Sequence, residues 1–205
     1  MAIRVYDKLY TMSSGDPETR KRILEKTWHL MEKRKGRGVK ISDIARAAGI
    51  SRQAVYLHFG SRAGLLIATA RYIDEVKNLN DRVQAMNTAA NAVEVLDAYV
   101  DFWGNYIPEI YGAAKALLTM RETDKDAAAA WDDRMNEQRQ GCRSVIDCLV
   151  RDRCLASIWS PEEAADTLWA MTSIPVWENL TTECGWTSSE YISRMKAALK
   201  QMFVR

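Results

Sequence analysis

The residues best equipped for chemistry lie between Arg52 and His58. On a helix, the order Arg52, Gln53, Ala54, Tyr56, His58 suits an outer face, while Val55 and Phe59 turn inward. The set offers hydrogen-bond donors and one small methyl group. Arginine can make a bidentate bond to guanine, glutamine can do the same to adenine, and alanine can meet a thymine methyl. Ser42, Ser51, Tyr56 and Arg62 are placed to donate to phosphates, which fix register without reading sequence. The chemistry is that of a nucleic-acid surface, with Arg52, Gln53, Ala54 and His58 as the base readers.

Such residues need a short helix held against a second one. Ser42 is a candidate cap for a helix from Asp43 to Ala48, with Ile44, Ala45 and Ala48 inward. Gly49 permits a sharp change of direction, and a further helix runs from Arg52 to Phe59. This is helix-turn-helix geometry. Upstream, Asp16-Pro17-Glu18 reads as a helix start, followed by the stripe Ile23, Leu24, Thr27, Leu30, Met31. Lys33 to Gly38 ends that helix, and its basic residues either add phosphate contacts or form a solvated helix end. Downstream, Gly60-Ser61 opens a helix carrying Leu65, Leu66, Ala68, Thr69, Tyr72, Ile73 and Val76.

Charge supports the same division. The 205 residues carry 29 basic and 27 acidic side chains, a net +2. Residues 1–83 hold 17 Lys+Arg and 9 Asp+Glu, giving +8, and residues 84–205 hold 12 and 18, giving −6. Residues 20–62 alone hold 12 basic and 3 acidic side chains, or +9. A basic segment on an acidic body is the footprint of a polyanion-binding module.

The stretch from Arg22 to Leu66 resembles the DNA-binding domain of the tetracycline-repressor (TetR) family. The resemblance rests on Ile23-Leu24, on Ile44-Ala45-Arg46-Ala47-Ala48-Gly49-Ile50-Ser51, on Val55-Tyr56-Leu57-His58-Phe59 and on Ser61-Arg62-Ala63-Gly64-Leu65-Leu66. It implies an all-α protein whose N-terminal three-helix head is joined by a linking helix to a helical effector-binding and dimerisation body. It implies transcriptional repression at a palindromic operator, relieved by a small molecule. Tyr56 and Arg62 would hold phosphates, and Arg52, Gln53 and His58 would face DNA. The family more often has Lys where Arg62 stands, which keeps the charge but changes the hydrogen-bond geometry. The resulting division is an arm over 1–15, flexible with only Arg4 and Lys8 basic, a head over 16–75 and a body over 76–205.

In the body, Val93, Leu96, Tyr99, Val100, Trp103 and Ile107 form one stripe before Pro108, and Trp131 to Val150 carries another. Ser160-Pro161-Glu162-Glu163 and Thr187-Ser188-Ser189-Glu190 are capping boxes that start the last two helices. Pro175 should kink the first of these or end its regular bonding. By the resemblance, these two helices pair with their copies as a four-helix homodimer interface. Six of the seven tryptophans follow residue 83. Trp103, Tyr106, Trp131, Trp169 and Trp177 are candidate pocket walls for an apolar or aromatic effector, with Asp101, Glu109, Arg121, Gln138 and Glu178 as polar anchors. Core packing is the competing use of every one of them. A regulator of the same fold controlled by a partner protein, or acting architecturally, is the alternative.

Other classes find little support. His29 and His58 sit in no triad, and no phosphate-cradling glycine loop or spaced carboxylate pair stands out. Cys142, Cys148, Cys154 and Cys184 form no C-x-x-C pair and read as reduced, small core residues, so neither a metal nor a cofactor is expected. No apolar run suits a membrane helix or a secretory signal, so the expected compartment is the cytoplasm.

Overall fold

The computed structural model describes residues 16–34 and 38–205. The arm over 1–15 and the centre of the basic turn, Lys35 to Arg37, lie outside the described residues, and with them the expectations placed there. Among the described residues the chain forms ten α-helices, one π-helical turn and no strand ladder. Among the described residues, backbone contacts group the head, to Lys77, with Ile110–Met135, and Asn78–Glu109 with Asn136–Arg205. A segment from the middle of the chain thus joins the head, which a single cut after residue 75 does not anticipate.

In the head, α1 spans Pro17–Arg34 and begins as its residues dictate. The Asp16 carboxylate accepts the Thr19 amide at 2.9 Å and the Thr19 hydroxyl at 2.7 Å. Those bonds hold its pKa below the usual aspartate range. Ile23, Leu24, Thr27 and Met31 are buried, and the Thr27 hydroxyl is satisfied by the Ile23 carbonyl at 2.8 Å.

Helix α2 is Ile41–Ala48, two residues longer at its start than a Ser42 cap implies. Lys40 occupies the cap position without a side-chain bond, and Ser42 falls in the first turn. Packing explains the correction: Val39 and Ile41 are both buried, and anchoring them draws the helix start upstream. Gly49 follows with φ 67°, a left-handed exit that favours glycine. Helix α3, Arg52–Phe59, is capped by Ser51, whose oxygen accepts the Ala54 amide at 3.0 Å. Helix α4, Arg62–Val76, is capped by Ser61, which accepts the Gly64 amide at 3.0 Å.

Two α1 arginines close the carbonyl ends of the short helices. Arg22 Nε donates to the Ala48 carbonyl at 3.0 Å, and Arg20 Nη1 donates to the His58 carbonyl at 2.7 Å. The Arg20 guanidinium also lies 4.4 Å from the Phe59 ring centroid. Positive charge at a helix C-terminus opposes the dipole as well as filling orphan acceptors.

The remaining helices are α5 Leu79–Met86, α6 Ala92–Met120, α7 Lys125–Arg151, α8 Pro161–Met171, α9 Ile174–Glu178 and α10 Ser188–Phe203. Helix α6 continues past Pro108, which is exposed and forgoes one backbone bond without ending the helix. Pro175 sits in the first turn of a new helix, α9, after α8 has ended at Met171. Both capping boxes form as read, Ser160 with Glu163 and Thr187 with Glu190.

In the second unit, α10 buries Tyr191, Met195, Leu199 and Phe203, and α8 buries Ala164, Ala165 and Leu168. The Trp159 indole N–H donates to the Met202 carbonyl at 2.8 Å, and Lys200 meets Asp97 at 3.0 Å. The cysteines are all free, but only Cys142 and Cys148 are buried. Cys184 is exposed and Cys154 half-buried, because each lies in a segment between helices and not on a core stripe. Val150 likewise departs from its stripe and is exposed.

Gly64 marks the tightest junction of the head, since a Cβ there would stand 2.4 Å from the Phe59 carbonyl oxygen. Backbone, not a flexible side chain, would have to move. Gly64→Ala should therefore destabilise the protein by about 1–3 kcal/mol in denaturant unfolding, and unchanged stability would contradict the α3–α4 geometry.

Candidate nucleic-acid interface

Helix α3 rests on Val55, which is fully buried, and on half-buried Phe59. With about 100° per residue, Gln53 and Leu57 lie opposite Val55, Tyr56 flanks them, and Arg52 stands at the edge of that face. Arg52 and Gln53 are exposed, Tyr56 is 42% exposed and Leu57 is 72% exposed. Ala54 is half-buried at the edge of this face.

His58 does not join it. It turns toward the supported side, half-buried, with its ring 6.1 Å from Phe59 and its Nδ1 enclosed without a hydrogen-bond partner. Leu57 takes the outward place instead. Sequence reasoning passed over Leu57 because an apolar residue in a short helix reads as core. Its angular distance from Val55 is the signal that finds it.

Of the expected phosphate donors, Tyr56 and Ser51 are exposed and Ser42 is half-buried in the first turn of α2. Ser51 caps α3 as an acceptor, which leaves its hydroxyl hydrogen available. Lys40 and Arg46 add exposed positive charge on α2 and its cap.

Arg62 is engaged within the chain. Its Nε donates to the Val39 carbonyl at 2.9 Å, and Nη1 and Nη2 each donate to Asp124 at 2.7 Å. Nη1 also reaches Asp126 at 3.1 Å, and the side chain is 17% exposed. The hydrogen bond from Arg62 holds Asp124 below the usual carboxylate range, and Asp124 in turn raises Arg62 above its ordinary value. The pair stays charged throughout the neutral range. Helix α4 is tied to α7 a second time, through Arg71 to Asp133 at 2.6 Å and Arg134 to Asp74 at 3.3 Å.

The candidate pocket walls separate. Trp103 and Tyr106 meet edge-on at 5.9 Å, with Phe102 5.0 Å from Trp103 and 5.1 Å from Tyr106. Trp169 and Trp177 belong to the same unit, and the Arg139 guanidinium lies 4.1 Å from the Trp169 ring centroid. Trp131 groups with the head, buried, with Arg121 5.3 Å from its ring. Of the polar anchors, Gln138 is buried and donates to the Thr172 carbonyl at 3.3 Å. Glu109 pairs with Arg82 at 2.7 Å, and Asp101 pairs with Lys196. Among the described residues no group of His, Cys, Asp and Glu is arranged to hold a metal, and no helix is long and apolar enough to cross a membrane.

Known proteins match this arrangement. The family model of the bacterial regulatory proteins of the tetR family matches residues 23–69. The HTH-type transcriptional regulator AlkX of Mycobacterium tuberculosis is 34% identical over 162 residues, 69% of this chain and 75% of that protein. A transcriptional regulator from Saccharomonospora viridis, solved in complex with choline, shares the fold with TM-score 0.72 at 21% identity, over 93% of this chain and 100% of its own. A TetR-family regulator from Rhodococcus sp. does so with TM-score 0.71 at 19% identity, over 91% and 99%. With a relative of this identity over most of its length, and a head whose exposed helix face carries the expected donors, the chain belongs to the tetR family of DNA-binding transcriptional regulators and is not an enzyme.

Proposed function

We propose that the protein is a repressor that grips a palindromic operator as a homodimer and lets go when a small molecule binds. The observation that carries the DNA half of this reading is the face of α3. Arg52 and Gln53 supply donors for base edges, and exposed Leu57 supplies an apolar surface for a thymine methyl. Ala54 contributes from the edge of that face, and His58, turned toward Phe59, supports it from the inner side. Ser42, Ser51 and Tyr56 hold phosphates, joined by Arg62 once its guanidinium is free.

The dimer uses α8 and α10, the two helices that the capping boxes start. Their apolar stripes are already buried within one chain, so a partner meets the sides that remain. On α10 these are Arg194, Ala197, Ala198 and Gln201, and on α8 they are Glu162, Asp166 and Ala170, all exposed. Small residues allow close helix approach, and Arg194 complements Glu162 and Asp166 across a two-fold axis. Two heads related in this way read half-sites about one DNA turn apart or a multiple of it.

The effector is apolar or aromatic and binds beside Trp103, Tyr106, Trp169 and Trp177. The Trp169 indole N–H is buried without an acceptor, which suits a ligand that brings one. That a structural relative was solved with choline is consistent with a body that admits small molecules. The ligand acts to the extent that it prefers the state in which the heads do not fit DNA.

Three measurements test this reading. Arg52→Ala and Leu57→Ala should each weaken operator binding by about 1–3 kcal/mol and relax preference at a base pair, and equal losses on operator and random duplex would remove their reading role. Sedimentation at micromolar concentration should give a dimer mass, and a monomer there refutes the interface. Tryptophan fluorescence should respond saturably to one member of a small-molecule panel, and the absence of any saturable response would transfer control to a protein partner.

A further inference from the structure

Arg62 is the first residue of α4 and stands two residues after Gly60, which ends α3. It is the one basic residue among the expected DNA contacts that is withheld. Arginine has five N–H groups, and four of them are already used, on Val39, Asp124 and Asp126. A carboxylate presents two oxygens to the guanidinium fork in the manner of a phosphate. Asp124 therefore offers Arg62 the same two-oxygen partner that a DNA phosphate would.

We infer that Asp124, helped by Asp126, is an internal competitor for the DNA backbone: it holds Arg62 in the DNA-free protein and must release it for full DNA contact. The inference rests on the DNA-binding reading above and adds a regulatory device to it. Arginine fits this use, because its planar fork, unlike the point charge of a lysine, can be held bidentately by one carboxylate.

The location of the competing anion gives it a means of control. Asp124 is also the cap of α7, its Oδ1 accepting the amides of Asp126 at 3.1 Å and Ala127 at 3.3 Å. One carboxylate thus fixes both the start of α7 and the guanidinium of Arg62. Helices α6 and α7, which flank it, continue along the chain into the unit that holds Trp103, Tyr106, Trp169 and Trp177. Acid does not release the guanidinium at neutral pH, since the pair remains ionised; a competing phosphate or a displaced turn does.

Asp124→Asn separates the two duties, because asparagine caps a helix as well as aspartate does but carries no charge. Binding to a duplex of mixed sequence is measured by fluorescence anisotropy across a salt series. The variant should bind about 5- to 20-fold tighter than the wild type. Its plot of log affinity against log salt should steepen by about 0.9, one additional phosphate. Asp126→Asn should act in the same direction more weakly, and serves alone if Asp124→Asn melts at room temperature. On an Arg62→Gln background both effects should vanish. A folded Asp124→Asn protein that binds as the wild type does, or more weakly, with an unchanged salt slope, overturns the inference and makes the carboxylate a strut of the DNA-ready head. Failure of the wild type and every variant to bind any duplex would overturn the DNA-binding reading, and this inference with it.

Discussion

An eight-residue helix in water does not hold itself together, because nucleation costs more than so few hydrogen bonds return. Both α2 and α3 are of this length, and the face proposed to read DNA is built on the second. Everything else in the head follows from supplying what these helices lack. Ile44, Ala45, Ala48 and Val55 anchor one side of each, and Ser51 fills the amide end of α3. Arg22 and Arg20, reaching from α1, fill the carbonyl ends of α2 and α3. Only because the inner side is fastened in this way can Arg52, Gln53, Tyr56 and Leu57 stand exposed on the outer one without the helix fraying.

The same accounting changes the meaning of the head's positive charge. A count of side chains makes residues 20–62 strongly basic, as though every cation faced a polyanion. The structure divides them. Arg20, Arg22, Arg34 and Arg62 are spent on carbonyls or on Asp43, Asp124 and Asp126. Lys21, Lys26, Lys33, Lys40, Arg46 and Arg52 remain exposed. Arginines hold the head together, while five of these six outward positions lie on α1, α2 and its cap, and Arg52 alone belongs to α3. The electrostatic field that attracts DNA is a sum over both groups, whichever of them touches it.

What the sequence made legible was local. Capping boxes at Ser160 and Thr187, the proline start at Pro17, the left-handed exit at Gly49 and the limits of α3 each depend on a few adjacent residues, and each was found where it was read. Features governed by distant partners were not legible. The start of α2 moved because Val39 and Ile41 are buried, and His58 turned inward beside Phe59. Arg62 was claimed by Asp124, 62 residues away along the chain. Apolar stripes in α8 and α10 looked available to a partner, whereas the single chain buries them and leaves small and charged residues outside. Periodicity reveals which side of a helix is buried, but not whether the burying surface comes from its own chain.

The central claim is that a fastened α3 presents a specific reading face twice, in a symmetric pair. Selection of bound duplexes from a random-sequence pool tests it most directly. The account predicts enrichment of inverted half-sites whose centres lie about one helical turn apart or a multiple of it. Enrichment of a single unrepeated site, or none above the starting pool, would contradict it.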